Sequence, residues 1–166
     1  MTNNCHDSPA SARRLHRETV DFLHDLAAWT LFFSLTFRKP VTVEEALGAV
    51  KEYCQAIARL HEHQHVRFAW FGGQQQGGRI HIHILGATIP CMEFKSSSRE
   101  LERLWRHGNA EVEDVHDRAA VVSYLMRKKH DFWNTAIACD RACPCRRKHG
   151  CRHGGRWPSP LEVTHQ

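Results

Sequence analysis

The stretch Arg79-Ile80-His81-Ile82-His83-Ile84-Leu85 decides the reading of this chain. Polar and apolar residues alternate at period two, which is the signature of a β-strand with one buried face. The alternation sends His81 and His83 to one face and Ile80, Ile82 and Ile84 to the other. Half-buried strands normally fill such positions with apolar residues or Thr. Two adjacent imidazoles suit a divalent metal instead, because imidazole is a common ligand for Mn, Zn, Cu and Ni. The competing reading is a strand whose second face is simply polar.

Downstream, Asp117-Arg-Ala-Ala-Val-Val-Ser-Tyr124-Leu-Met-Arg-Lys-Lys-His130 has helical composition without Gly or Pro, and Asp117 suits the N-cap. Lys128 falls one turn beyond Tyr124, with Arg127 beside it, while Val121, Val122 and Leu125 supply an apolar face. Taken alone, the segment is equally an ordinary amphipathic helix with solvated cations.

Working outward, a helix is expected from about Ala12 to Ala27 and a strand over Trp29–Phe37, stopped by Arg38-Lys39-Pro40. Thr42-Val-Glu-Glu45 is a capping box that opens a helix with Ala46, Val50, Tyr53, Ile57 and Leu60 on one stripe. Val66–Phe71 is the next strand, Gly72–Gly78 the turn, and Arg79–Ala87 the histidine strand. Ser97 caps a short helix, Gly108-Asn109 turns, and Ala110–Val115 is a short strand before the tyrosine helix. The order β-α-β-β-α-β predicts an α+β fold of the ferredoxin-like, split βαβ type. Its antiparallel sheet of about four strands carries helices on one face, with the tyrosine helix near the other.

Composition bounds the function classes. A chain of 166 residues suits one domain with a core large enough to fold unaided. The apolar run Ala27–Phe37 is too short for a membrane span and contains Thr30, Ser34 and Thr36. The polar segment Met1–Arg17 lacks the apolar stretch of a secretory signal, and seven cysteines are an odd number, which together point to a reducing, cytoplasmic setting. Between Cys139 and Arg156 there are six Arg or Lys against Asp140 alone, a local charge of +5 that equals the net charge of the whole chain. A basic segment of this kind makes phosphate contacts, so nucleic acid is the partner class that the charge favours.

These segments together resemble the HUH endonucleases, the superfamily of rolling-circle replication initiators, relaxases and single-tyrosine transposases. Leu31-Phe-Phe-Ser-Leu-Thr-Phe37 resembles the first, strand-forming motif. Gly78-Arg-Ile-His81-Ile-His83 resembles the His-hydrophobic-His motif, and Tyr124 with its basic neighbours resembles the nucleophile motif. The chain departs from the pattern in two places. Arg127 stands where initiators most often have Lys, with Lys128 and Lys129 following. The strand before the histidines, Ala69–Gly78, has no acid to serve as a third ligand, leaving Gln74, Gln75, Gln76 or His65 as donors.

The resemblance implies a three-part layout: an N-terminal polar segment and helix over 1–28, an HUH-type nuclease domain over 29–135, and a basic Cys/His-rich tail over 136–166. It implies Mn²⁺ or Mg²⁺ on His81, His83 and Gln74, with Tyr124 as nucleophile and Lys128 and Arg127 stabilising charge. The reaction is nicking and rejoining of single-stranded or hairpin DNA through a 5′-phosphotyrosine, as in replication of a plasmid or phage. Arg79, Lys129, Arg146, Arg147 and Lys148 would contact nucleic acid. No Gly-rich phosphate loop is present, so unwinding would fall to a separate host helicase. The alternatives are a transposase of similar chemistry and a non-catalytic nucleic-acid-binding module. In the tail, Cys139, Cys143, Cys145 and Cys151 could hold a structural Zn²⁺, although their spacing matches no standard zinc ribbon or finger; free thiols on a basic tail, or a redox role, are the other readings.

Overall fold

A computed structural model of the chain describes residues 9–61, 65–74, 78–89, 94–128 and 130–139, with 161 and 162. The elements are α1 (Pro9–Leu26), β1 (Leu31–Thr36), α2 (Val43–Leu60), β2 (His65–Gln74), β3 (Ile80–Ile89), α3 (Ser98–Leu104), β4 (Ala110–Asp114), α4 (Arg118–Arg127), β5 (Phe132–Cys139) and β6 (Leu161–Glu162). Both expected capping boxes are formed. The Thr42 and Ser97 hydroxyls accept from the backbone of Glu45 and Glu100, whose carboxylates accept in return from the cap N–H groups.

The strands lie in the order β4-β1-β3-β2-β5-β6, every neighbouring pair antiparallel. The first four give the split βαβ arrangement that the element order predicts, with the histidine strand β3 between β1 and β2. Beyond them, β5 pairs with β2 along eight positions, so the sheet continues as far as Cys139. The approach is close at its start: a Cβ on Gly72 would come within 2.2 Å of the Phe132 ring, so only Gly fits there.

Two cores follow from the pleat. Phe33, Leu35, Phe68, Trp70, Ile80, Ile82 and Ile84 face α2 and α3, where Val50, Tyr53, Ile57 and Leu101 meet them. On the opposite face Phe32, Ala69, Phe71 and Leu85 pack with Leu23, Trp29, Val122 and Leu125, so this face is covered by α1 and α4. Each fully buried Leu, Ile or Phe contributes about 1.5–3 kcal/mol of transfer free energy. The second core is the smaller one, and it stops short of the end of the sheet where the histidines lie. There the face stays polar.

Candidate active site

On the face shared with α4, strand register places His83 beside Ser34 of β1 and Phe71 of β2, and His81 beside Thr36 and Gly73. The two imidazoles are 4.5 Å apart between ring centroids. Ser34 Oγ and His83 Nδ1 share a hydrogen bond of 3.2 Å, and the Phe32 ring stacks on His83 at 5.2 Å. His83 is held on two sides and is 9% exposed. Burial pushes its pKa down to about 3, helped by the neighbouring His81, His130 and Lys128. His81 is also lowered, first by burial and then by Lys128. Both rings are therefore neutral at ordinary pH, the state in which imidazole binds a metal.

The helix α4 is fixed at both ends. Asp117 accepts from the Ala120 N–H at its start, and Val122 and Leu125 bury its apolar stripe. At its end the Leu125 carbonyl accepts from the Lys128 N–H and from His130 Nε2, the latter at 2.7 Å. Tyr124, on the flank of the buried stripe, is 37% exposed. Its ring meets His83 and Phe32 edge-on, at 5.9 and 6.1 Å between centroids. Lys128 has already left the helix as its extended C-cap, yet its Nζ lies 5.0 Å from the centre of the Tyr124 ring.

These groups line one cavity of about 410 Å³, bounded by Ser34, Gly73, Gln74, His81, His83, Glu111, Tyr124, Lys128 and His130. The cavity thus gathers His81, His83, Tyr124 and Lys128 from two distant segments of sequence. Gln74 stands at its edge. It pairs with Ile80, which alternation assigns to the other side of the sheet, and its Nε2 donates to the Gly78 carbonyl at 3.1 Å. His65 is at the far end of β2, paired with Ile89, about 26 Å of strand from Gly73. It is thereby removed as a ligand for this cavity.

Arg127 is exposed at the helix terminus and does not line the cavity, and Arg79 lines a neighbouring one. Cys139 ends β5. Lys129, Gln75, Gln76, Cys143, Cys145, Cys151, Arg146, Arg147 and Lys148 lie outside the described residues.

Two lining residues escape a linear reading. Glu111, on the edge strand β4, shares a lateral row with Ser34 and His83. His130 reaches the cavity just after α4, 6.4 Å from His83 between ring centroids. Their only linear signal is residue type.

The donor set fits a divalent cation in one specific respect: His81 Nε2 is buried and has no hydrogen-bond partner among the described residues. A buried nitrogen left this way is costly unless something binds it. Among the described residues, no three His, Cys, Asp or Glu side chains converge tightly enough to enclose an ion unaided. The remaining positions would fall to oxygen donors that move in, to water or to substrate.

The fold and this cavity define a ferredoxin-like α+β domain with a His-Tyr-Lys centre on one face of its sheet. The model of the replication-associated protein ORF2 family matches residues 30–130, a span that contains every residue lining the cavity. The chain belongs to that family. Comparison with curated proteins and with solved structures gave no match. Among the described residues, no helix is long and apolar enough to cross a membrane.

Proposed function

We propose that this replication-associated protein is an HUH-type initiator that nicks and rejoins single-stranded DNA through Tyr124. The observation that carries the reading is the single cavity in which the tyrosine, its cation and the paired imidazoles meet. Tyr124 Oη attacks the phosphorus of a phosphodiester and loses its proton, while the bond to the 3′ oxygen breaks and that oxygen is protonated. The products are a 5′-phosphotyrosine and a free 3′-hydroxyl. Because the covalent link conserves the phosphodiester's energy, the 3′-hydroxyl can reverse the attack and reseal the strand without a nucleotide cofactor.

Lys128 stabilises the phenolate, whose ordinary pKa is near ~10, and the charge that develops on phosphorus. Phe32 and the helix caps hold Tyr124 at its angle, and Ser34 holds His83 in one orientation. His81 and His83 would hold Mn²⁺ or Mg²⁺, which when bound supplies Lewis-acid stabilisation of the non-bridging phosphate oxygens. Two imidazoles favour Mn²⁺ over Mg²⁺, which prefers oxygen ligands. The oxygen donor is Gln74 or Glu111, and the carboxylate is the better ligand for either ion.

The test is a denaturation-resistant adduct. Wild-type protein, Mn²⁺ and a single-stranded oligonucleotide from the replicon's own origin should give a species that survives boiling in detergent. Its added mass should be that of the 3′ fragment. Tyr124→Phe should bind the oligonucleotide and form no adduct. An adduct that persists in Tyr124→Phe, or none in the wild type on its own origin, removes the proposal.

A further inference from the structure

Beside His81, at the end of the sheet, lies a second cavity of about 340 Å³ that the proposed chemistry leaves unused. His81 lines both cavities, so the two are adjoining compartments of one surface. The β1–β3 register pairs Thr36 with His81, and Arg38 and Arg79 each stand two residues further along. Continuing that register sets the two arginines opposite one another, and both line the second cavity. Both are exposed, and no acidic side chain among the described residues lines the cavity with them. Like charges facing each other across neighbouring strands repel. An anion between them replaces that repulsion with two charge-assisted contacts.

The floor of this cavity is rigid. The Thr36 carbonyl accepts from Trp105 Nε1 at 2.9 Å, and the Thr36 N–H donates to the Asn109 carbonyl at 2.9 Å. Gly108 passes so near that a Cβ there would sit 2.0 Å from the Thr36 carbonyl oxygen. The other flank of the catalytic cavity is acidic, with Glu111 lining it and Glu113 and Asp114 following on β4. A polyanion crossing His81 is thus repelled on the β4 side and drawn toward Arg38 and Arg79.

We infer that the second cavity is a subsite for the phosphodiester next to the scissile one, gripped between Arg38 and Arg79. The identity of the ligand as single-stranded DNA rests on the nicking reading above, but the test reads binding alone. In a Tyr124→Phe background, anisotropy would follow labelled oligonucleotides from the replicon's origin, each carrying one uncharged methylphosphonate at a successive linkage. One linkage should stand out, its neutralisation weakening binding about tenfold. Arg38→Gln/Arg79→Gln should weaken binding of the unmodified oligonucleotide by a similar factor and be indifferent to that one substitution. Its salt dependence should also fall by about 0.7 in log–log slope for the lost phosphate contact.

Arg99→Gln, which removes the same charge from exposed α3, should keep the methylphosphonate penalty. Additive losses, or a double variant that binds like its parent, overturn the subsite whatever the outcome of the adduct experiment. A penalty that vanishes only in the arginine variant establishes the subsite even if no adduct forms.

Discussion

Lys128 Nζ lies 5.0 Å from the centre of the Tyr124 ring, held there by a C-cap and not by a further turn of helix. An ammonium over a phenol face is mildly attractive at rest. It gains far more when the phenol becomes a phenolate. Lys128→Ala should therefore slow adduct formation by roughly one to three orders of magnitude at saturating DNA, the usual cost of losing one charge-stabilising group. Arg127→Ala, at an exposed position outside the cavity, should slow it less. Single-turnover rates of adduct formation check both, and equal effects would argue against a specific role for Lys128.

His81→Ala/His83→Ala should abolish Mn²⁺-dependent adduct formation and also remove any rise in melting temperature on adding Mn²⁺. The fold should survive. The lost Ser34 contact and Phe32 stacking should lower stability by about 1–2 kcal/mol. Circular dichroism melts with and without the ion separate ligand loss from core loss. Parallel measurements on Glu111→Gln and Gln74→Ala assign the oxygen donor, and the larger drop in Mn²⁺ affinity is expected for Glu111→Gln.

The depressed pKa of His83 has a definite sign. The folded protein keeps this ring neutral down to about pH 3, whereas in the unfolded chain it takes up a proton near its ordinary value of 6.5. Between those limits the unfolded state binds more protons, so the contribution of His83 to stability is complete above pH 6.5 and is lost progressively as pH falls toward 3. In metal-free protein the His83 ring resonances should stay at their neutral positions through pH 5, while exposed histidines titrate. A midpoint near 6.5 for His83 would contradict the buried geometry.

Much of this was legible in the sequence because it is local. The alternation of Ile and His fixes which way His81 and His83 point, and the two capping boxes fix where α2 and α3 begin. The order of elements then gives four strands and a central histidine strand. What the sequence hides is lateral. Glu111 joins the cavity because β4 pairs with β1 in a register that puts Ser34 between it and His83. No periodicity within Ala110–Asp114 encodes that neighbour. The strand β5 is obscured by its own chemistry, since Asn134, Ala136 and Ala138 are buried where a strand is usually recognised by large apolar residues.

Gly108 is expected to be irreplaceable for a structural reason. Ala there would drive its Cβ into the Thr36 carbonyl, which is backbone and already bonded to Trp105. Gly108→Ala should cost about 2–4 kcal/mol in denaturant melts. Gly48→Ala, in α2 with open space around it, should be neutral or stabilising.

Tyr53 is the only other tyrosine in the chain. Its buried hydroxyl donates to the Leu101 carbonyl at 3.0 Å, on the face of the sheet away from the cavity, and burial raises its pKa. Tyr53→Phe should lower stability by about 1–2 kcal/mol through the unpaired carbonyl and leave the rate of adduct formation unchanged.

The most direct measurement is the position of the covalent link. Trypsin cleaving after Arg118 and Arg127 releases Ala119–Arg127, which contains Tyr124 and no other tyrosine. After reaction with origin DNA and nuclease trimming, mass spectrometry should find this peptide carrying a nucleotide through its 5′-phosphate on Tyr124. A nucleotide on the peptide containing Tyr53, on a serine, or attached through a 3′-phosphate would contradict the assignment of Tyr124 as the nucleophile.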